Sequence, residues 1–213
     1  VICVPCDGVP QKLQQAAAAY GLPPICWTLS DNVPGFRNLL DEAAEAPAAM
    51  TRPETSVHDS MLLYFTSGTT GEPKGVIHDH SYPLAHIITA KYWQHATDGG
   101  LHFTVAETGW GKASWGKLYG QWLVGSAVMV YDFDRFDPRA LCAVINRFGV
   151  TSFCAPPTIY RYLVLKDIPE MPTLRHASTA GEQLSPEVFR KFANQTGLTL
   201  SMGYGQTETA LLL

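Results

Sequence analysis

Short apolar runs alternate with amphipathic stretches along the first fifty residues. An apolar run at residues 1–4 is followed by residues 11–20, which are rich in Ala, Gln and Leu and end at Gly21. A second apolar run lies at 25–29, and residues 36–46 place apolar side chains on one helical face. Short apolar runs between turn residues indicate strands, and a glycine after a periodic segment indicates a helix end. The order strand, helix, strand, helix predicts parallel βαβ units.

The same alternation continues through the rest of the chain. Asp137 and Ser185 each precede a proline, which favours a helix start because the side chain caps the first turn and proline fits its first position. Ser81 is expected to cap another helix. The pattern predicts strands at 61–65, 75–78, 101–105, 126–131, 151–154, 173–180 and 198–202, and helices at 82–93, 137–148, 156–165 and 185–195. We therefore expect an α/β fold, a mostly parallel sheet with flanking helices, as a single unit over residues 1–213.

A loop rich in glycine and hydroxyl groups follows the strand predicted at 61–65. Glycine lets the backbone turn where a side chain would block it, and successive N–H groups in such a turn can converge on an anion. Hydroxyl groups and a lysine add donors and a positive charge. A plain loop and a Walker P-loop are the alternatives, but the Walker motif needs Gly-Lys in sequence, and here Glu72 and Pro73 intervene. The loop predicts a polyphosphate site made of Thr66, Ser67, Gly68, Thr69, Thr70, Gly71 and Lys74.

Three segments resemble signatures of the AMP-forming adenylating enzymes, which include acyl-CoA synthetases, luciferases and peptide-synthetase adenylation domains. Residues 66–75 resemble the phosphate loop of this family, and residues 203–209 resemble its Tyr-Gly-x-Thr-Glu loop. Residues 180–182 resemble the strand end that borders adenine, although Gln183 stands where the pattern often has proline. Ligands of an open parallel sheet bind at the carboxyl ends of its strands, so we expect the three loops to converge on one ligand.

The resemblance implies a role for the residues of these loops. The phosphate loop would close over the β- and γ-phosphates of ATP. Tyr204 offers a ring to stack on adenine, Thr207 offers a hydroxyl for the α-phosphate, and Glu208 is a hard oxygen ligand for Mg²⁺. Thr207 and Glu208 are the expected catalytic residues. The expected adenine and AMP site comprises Gly181, Glu182, Gln183, Gly203, Tyr204, Gly205, Gln206 and Thr207.

An aromatic and glycine-rich segment lies between the two hallmark loops, at residues 107–122. Its Thr-Gly-Trp at 108–110 resembles a segment of the acyl- and acetyl-CoA synthetases in which the tryptophan limits the acyl chain. Trp110 is therefore the expected wall of the acyl pocket. The segment is more similar to medium-chain and branched-chain acyl-CoA synthetases than to luciferases. Three further aromatic residues are interpreted as core residues of a helix: Trp115, Tyr119 and Trp122.

The resemblance implies ATP-dependent activation of a carboxylate, in which an acyl-adenylate forms and its acyl group then passes to CoA. The expected substrates are a short-, medium- or branched-chain carboxylic acid, ATP and CoA. An aryl-CoA ligase, a peptide-synthetase adenylation domain and a non-catalytic nucleotide-binding module are the alternatives. The chain resembles a central part of the family's large N-terminal domain. As a fragment it is expected to be inactive alone and prone to association, because cut elements expose sheet edges and apolar surface.

Composition and charge narrow the classes of partner and location. The net charge is −4, from 15 basic and 19 acidic residues, which leaves no electrostatic footprint for nucleic acid. The sequence shows no run of eighteen apolar residues and no signal peptide, so we expect reduced thiols and a cytoplasmic protein. Cys3 and Cys6 lack a second ligand pair at zinc spacing, and His78 and His80 lack an obvious third ligand. Both pairs are interpreted as structural.

Overall fold

The computed structural model describes residues 2–3, 8–21, 27–29, 33–48, 50–67, 71–106, 111–133 and 135–212. The chain divides into two compact units, Val1–Glu54 and Thr55–Leu213. The expectation of a single unit over residues 1–213 stays a prediction. Among the described residues, no helix is both long enough and apolar enough to cross a membrane.

The first unit contains short parallel strands. They are β1 (Ile2–Cys3), β2 (Trp27–Thr28) and β3 (Arg37–Asn38), paired in that order. Helix α1 (Val9–Tyr20) ends at Gly21, whose φ of 62° lies in the left-handed region and whose N–H bonds the carbonyl of Ala17. This is the predicted glycine stop, because glycine adopts that conformation without steric cost.

Helix α2 (Leu39–Glu45) is shorter than the helix predicted at 36–46. It begins where the side chain of Asn38 accepts hydrogen bonds from the N–H groups of Leu40 and Asp41. Asparagine is a preferred cap because its short side chain satisfies N–H groups that have no partner inside the helix. The amphipathic pattern predicted the helix correctly but placed its start too early, because Arg37 and the cap residue Asn38 pair with β2 as a strand.

The second unit begins with an antiparallel hairpin and a helix. These elements are β4 (Ser60–Thr66), β5 (Lys74–Asp79) and α3 (Tyr82–Ile88). The strand and its return strand were both predicted. The helix continues as a π-helical turn over Thr89–Trp93, which the sequence pattern did not distinguish from α-helix. Ser81 lies at the N-cap position of α3, as expected, but its hydroxyl donates to the carboxylate of Asp79 and makes no cap hydrogen bond.

A parallel sheet lies at the centre of the second unit. Its strands are β6 (Leu101–Thr104), β7 (Ala127–Met129), β8 (Ser152–Cys154), β9 (His176–Ala180) and β10 (Leu200–Gly203). Their order is β10-β9-β8-β6-β7, and each neighbouring pair is parallel. The predicted α/β class with a mostly parallel sheet is confirmed. Because the strands run the same way, their carboxyl ends lie at one edge of the sheet, where ligands of such sheets bind.

The described part of the aromatic segment forms two short helices, α4 (Gly111–Trp115) and α5 (Tyr119–Leu123), and the turn between them. Helix α5 packs so closely against α3 that a Cβ atom at Gly120 would lie 2.1 Å from the carbonyl oxygen of His86. The interpretation of Trp122 as a core residue is wrong, because its side chain is 61% exposed. The buried face of α5 is formed by Gly120 and Gln121, and the next residue therefore faces solvent.

The remaining helices cover the sheet. They are α6 (Pro138–Phe148), α7 (Pro157–Leu163) and α8 (Pro186–Thr196). Asp137 and Ser185 cap α6 and α8 through their side chains, as predicted. The main core lies between these helices and the sheet, and its largest fully buried side chains are Phe103, Ile145, Phe153, Tyr160 and Phe192. This core fixes the strands whose ends form the candidate site.

Candidate functional site

A cavity of about 360 Å³ lies beside the carboxyl ends of β9 and β10. Five parts of the second unit line it: strand β4, the first turn of α3, helix α4, the segment at and after the end of β9, and the segment that follows β10. The lining residues are Tyr64, Phe65, Tyr82, Gly111, Lys112, Trp115, Ala180, Gly181, Gly205, Gln206, Thr207, Thr209 and Leu211. Two of the three loops that were predicted to converge, at Gly181 and at 205–207, therefore share one cavity.

The predicted phosphate loop is described at its two ends. Thr66 and Lys74 are paired across the hairpin, and Gly71 has a φ of 93°, which glycine adopts without strain. Ser67 and Lys74 are exposed and do not line the cavity. The residues between these ends, Gly68, Thr69 and Thr70, lie outside the described residues. The role of the loop in holding phosphate stays a prediction.

The segment after β9 turns at Gly181, whose φ is 104°. Helix α7 holds the next two residues. The hydroxyl of Thr158 donates to the carboxylate of Glu182 at 3.2 Å, and Nη1 of Arg161 lies 3.3 Å from Oε2 of the same carboxylate. Nη2 of Arg161 donates to the carbonyl of Gln183 at 3.1 Å. Of the three predicted residues, Gly181 lines the cavity, while Glu182 and Gln183 are tied to α7.

The segment after β10 is closed into a loop by a bridge between Tyr204 and Leu212, whose backbone groups bond each other reciprocally. At the base of this loop, a Cβ atom at Gly203 would lie 2.7 Å from Cδ2 of Leu211 and 2.8 Å from Cε2 of Trp93. No side chain fits there. Tyr204 is 60% exposed, so its ring is available to stack on a planar ligand.

Thr207 is held from the hairpin. Nε2 of His78, on β5, donates to the carbonyl oxygen of Thr207 at 2.7 Å and so links segments that are 129 residues apart. This bond agrees with the structural interpretation of His78. Within the described residues, no group of three or more His, Cys, Asp or Glu side chains could hold a metal ion.

Glu208 lies on the outer side of the loop. The turn around it is fixed because the N–H of Thr209 donates to the carbonyl of Gln206 at 3.1 Å and the N–H of Gln206 donates to Oγ1 of Thr209 at 3.2 Å. The Glu208 side chain is exposed, does not line the cavity, and makes no hydrogen bond or ion pair with another described residue. Its carboxylate can therefore bind a ligand that approaches from solvent.

A chain of aromatic rings forms one wall of the cavity and the layer behind it. His78 stacks on Tyr82 at 4.0 Å between ring centroids, Tyr82 meets His86 edge-on at 4.5 Å, and His86 stacks on Trp115 at 5.7 Å. Burial, together with the nearby His78, lowers the pKa of His86 to about 4, so this ring is neutral at physiological pH. A neutral aromatic wall favours an apolar group of the ligand.

Among the described residues that line the cavity, Lys112 is charged, and its role was not predicted from the sequence. Its side chain is 5% exposed, and Nζ donates to the carbonyl oxygen of Ala180 at 2.6 Å. Burial lowers its pKa. Its position in the sequence could have marked it as a site residue, because it lies inside an aromatic and glycine-rich segment, part of which was interpreted as core. A charged side chain is rarely buried without a partner. Trp115, interpreted as a core residue, also lines the cavity.

Trp110 lies outside the described residues, so its position in the cavity wall stays a prediction. The residues that follow it on α4, Gly111 and Lys112, do line the cavity. The aromatic segment at residues 107–122 therefore contributes to the candidate site through Gly111 and Lys112, which were not the residues predicted there.

The sequence model of the AMP-binding enzyme family matches residues 3–213. The chain is 35% identical over 181 residues to human acyl-coenzyme A synthetase ACSM3, mitochondrial, covering 84% of this chain and 31% of that protein. It is 38% identical over 180 residues to human acyl-coenzyme A synthetase ACSM5, mitochondrial, covering 83% and 30%. The chain thus spans about a third of the length of these relatives.

A solved structure supports the fold. The crystal structure of Brucella canis acyl-CoA synthetase superposes with a TM-score of 0.82 at 22% identity, over 100% of this chain and 43% of that chain. An identity this low speaks for the fold alone, and it agrees with the α/β architecture.

The relatives correct one prediction and establish the family. Both human relatives are named as mitochondrial, which contradicts the expected cytoplasmic location. That expectation depended on the lack of a visible signal peptide, and a chain that spans about a third of its relatives carries no such information about location. The family match extends over nearly every residue of the chain. The chain belongs to the family of AMP-binding enzymes.

Proposed function

We propose that the protein carrying this chain is an AMP-forming acid–CoA ligase that activates short-, medium- or branched-chain carboxylic acids in fatty-acid metabolism. The observation that carries the proposal is the make-up of the cavity. Its aromatic and apolar wall faces Gly181 and residues 205–207, which belong to the two segments that resemble nucleotide-binding signatures. The names of the two human relatives, both acyl-coenzyme A synthetases, support the reaction class.

In the first half-reaction, a carboxylate oxygen of the acid would attack the α-phosphorus of ATP. A new O–P bond forms, the bond to the bridging oxygen breaks, and pyrophosphate leaves. Because both reactants are anionic, the protein must offset their repulsion and hold them in line. In this proposal Tyr204 stacks on adenine and the hydroxyl of Thr207 donates to the α-phosphate.

The leaving pyrophosphate would be held by the loop between β4 and β5. Thr66, Ser67 and Lys74 flank this loop, and its remaining hydroxyl and N–H donors come from residues 68–71. Lys74 is exposed at the start of β5, so its ammonium group can reach a ligand above the hairpin. A lysine binds phosphate as a mobile point charge, which suits a group that departs during the reaction.

Glu208 fits a Mg²⁺ ion that arrives with ATP. Mg²⁺ prefers oxygen ligands and is usually bound by one or two carboxylates together with substrate phosphates and water. An exposed glutamate without a partner among the described residues matches that pattern. When bound, the ion supplies positive charge that stabilises the phosphate oxygens.

In the second half-reaction, the sulfur of CoA would attack the acyl carbon of the acyl-adenylate. A C–S bond forms, AMP leaves with the electrons of the C–O bond, and the thiol proton passes to solvent. In this proposal the acyl chain lies against the apolar and aromatic wall of the cavity. That wall is formed by Tyr64, Phe65, Tyr82, Trp115 and Leu211.

The test is ATP–pyrophosphate exchange by the full-length protein with acetate, hexanoate, decanoate, isobutyrate, benzoate and phenylalanine, followed by thioester formation with CoA. We expect exchange and thioester formation with straight-chain or branched-chain acids and neither without an acid. Preference for benzoate would replace the proposal with an aryl-CoA ligase, and preference for phenylalanine would replace it with a peptide-synthetase adenylation domain. ATP binding without exchange for any acid would identify a non-catalytic nucleotide-binding module.

A further inference from the structure

The buried ammonium group of Lys112 lies between two sides of the cavity. Gly181 and residues 205–207 form the side that we call nucleotide-like, and the aromatic and apolar wall forms the other. Lys112 is on α4, next to the aromatic wall, and its Nζ atom donates to the carbonyl oxygen of Ala180, the last residue of β9, at 2.6 Å. A Cβ atom at the adjacent Gly181 would lie 3.6 Å from the same Nζ. The ammonium group is therefore fixed at the strand end, close to the backbone that lines the cavity.

Among the described residues, no carboxylate pairs with the charge of Lys112. The carboxylate of Glu182, which follows Gly181, is already engaged by Thr158 and Arg161 on α7. An ammonium group has three donors, and the carbonyl of Ala180 uses one of them. A buried charge without a counter-ion is unfavourable, so the cavity is suited to a ligand that brings a negative charge.

The rest of the lining defines the other half of that ligand. Phe65, Trp115 and Leu211 are apolar or aromatic, and Tyr64 and Tyr82 add two further rings. A ligand with a hydrocarbon body and one anionic end satisfies both the wall and the lysine. A free carboxylic acid has this form, whereas adenine and ribose do not.

We propose that Lys112 is a substrate-binding residue whose ammonium group binds the carboxylate of the acid before activation. The proposal rests on the proposed function, because it assigns the position of the acid in that reaction. Nζ would keep its bond to the carbonyl of Ala180 and direct a second N–H at a carboxylate oxygen. Lys112 would thus select anionic over neutral ligands of equal length and hold the nucleophilic oxygen beside the nucleotide-like side of the cavity.

The test measures direct binding to the full-length protein by calorimetry without ATP, with hexanoate and with hexanamide, its neutral analogue. We expect the wild-type protein to bind hexanoate at least about 10-fold more tightly than hexanamide, because a hydrogen bond to a charged group gives such a margin. Equal affinities in the wild-type protein would overturn the proposal without any variant.

Two variants and a matched control separate charge from structure. Lys112→Gln keeps an N–H donor for Ala180 but removes the charge, and we expect it to weaken hexanoate binding about 10- to 100-fold while hexanamide binding changes little. Lys112→Met should do the same. The control is Lys117→Met, because Lys117 is also buried and donates to a backbone carbonyl, that of Ala106 at 3.2 Å, but does not line the cavity. The proposal would be contradicted if Lys112→Gln lost affinity for hexanoate and hexanamide equally. It would also be contradicted if Lys117→Met lost as much affinity for hexanoate as Lys112→Gln does.

Binding of AMP distinguishes the carboxylate from the other anion of the reaction. If Lys112→Gln loses AMP affinity and keeps hexanoate affinity, the lysine binds the α-phosphate and the proposal is wrong. The proposed function can also fail separately. Charge-selective binding of hexanoate without pyrophosphate exchange would overturn the ligase assignment and leave the lysine contact standing, whereas exchange without charge selectivity would overturn the lysine contact alone.

Discussion

At the scale of single residues, the buried histidines of the second unit are neutral and part of the fold. His102, on β6, is fully buried, and its Nδ1 accepts from the hydroxyl of Ser152 at 2.7 Å. Its Nε2 donates to the hydroxyl oxygen of Thr104 at 2.7 Å, and that hydroxyl donates to the carbonyl of Gly116. These partners fit the neutral ring with its proton on Nε2. Burial lowers the pKa of His102 to about 4.

The neutral histidines predict how stability depends on pH. The ordinary pKa of histidine is about 6.5, whereas in the folded protein the pKa values of His86 and His102 are about 4. Above pH 6.5 both rings are neutral in the folded and in the unfolded chain, so their full contribution to the free energy of unfolding is present. Below it the unfolded chain binds protons that the folded chain does not, so each histidine lowers the free energy of unfolding by up to about 1.4 kcal/mol per pH unit until the pH approaches 4.

The measurement is the free energy of unfolding of the full-length protein at a series of pH values between 7.5 and 4.5. His102→Gln should be less stable than wild type at pH 7.5 but should lose less stability on acidification. The control is His80→Gln, because the side chain of His80 makes no hydrogen bond, ion pair or ring contact with another described residue, and this variant should follow the wild-type curve. A His102→Gln curve as steep as that of the wild-type protein would contradict the prediction.

Glu208 gives a second prediction at this scale. In the full-length protein, Glu208→Gln should fold normally and lower the rate of adenylation by about 100- to 1,000-fold, because in the proposed mechanism the carboxylate of Glu208 would hold Mg²⁺ beside the reacting phosphate. Pyrophosphate exchange at saturating Mg²⁺ is the measurement. Glu170→Gln is the control, since Glu170 is also exposed and lies away from the cavity. Exchange near the wild-type rate would exclude the proposed role of Glu208.

At the scale of elements, a hydrogen bond from His78 to the carbonyl of Thr207 joins the hairpin to the loop after β10. We expect His78→Ala to increase amide hydrogen exchange in residues 204–209 by up to about fivefold, because a single hydrogen bond contributes about 1 kcal/mol. His78→Gln, which retains an N–H donor, should restore part of the protection. His80→Ala is the matched control in the neighbouring turn. Unchanged exchange in His78→Ala would show that the loop is held by other contacts.

Several elements could be predicted because their signals are local. Asp137 with Pro138 and Ser185 with Pro186 mark helix starts through contacts within one turn, and Gly21 marks a helix end. Elements that depend on distant partners were misjudged. Residues 37–38 form a strand because β2 lies beside them, and Trp122 is exposed because α5 turns Gly120 towards α3. Neither neighbour can be seen within a short window of sequence.

The residues of the candidate site also divide into those that could be predicted from sequence and those that depend on distant partners. Gly181 and residues 205–207 were predicted from their resemblance to family signatures. Their convergence was predicted because strand ends of a parallel sheet share an edge, and they line one cavity. Lys112 was missed because its importance depends on the carbonyl of Ala180, 68 residues away. The link from His78 to Thr207 spans 129 residues, and no local pattern announces it. The parts of a site made by long-range contacts become visible when the fold brings them together.

At the scale of the whole molecule, the chain has a boundary between its two compact units at Glu54 and Thr55. The side chains of residues 50–60 are exposed, and exposed segments are preferred sites of proteolysis. We expect limited digestion of the full-length protein with a glutamate-specific protease to cut first after Glu54, as detected by mass spectrometry. Glu54→Gln should remove that product. Glu170 is the matched exposed glutamate, and an earlier cut there would contradict the prediction.

The contact at Gly120 limits how the cavity can be redesigned. A Cβ atom there would lie 2.1 Å from the carbonyl oxygen of His86, so even alanine would force the backbones of α3 and α5 apart. A saturation library at this position should therefore yield no working replacement. Tyr82 lies on α3, one of the two helices at this contact, so the cavity cannot be widened by moving α3 away from α5. New substrate preferences must come from exchanging side chains on its surface, and Phe65, Trp115 and Leu211 are the positions to randomise.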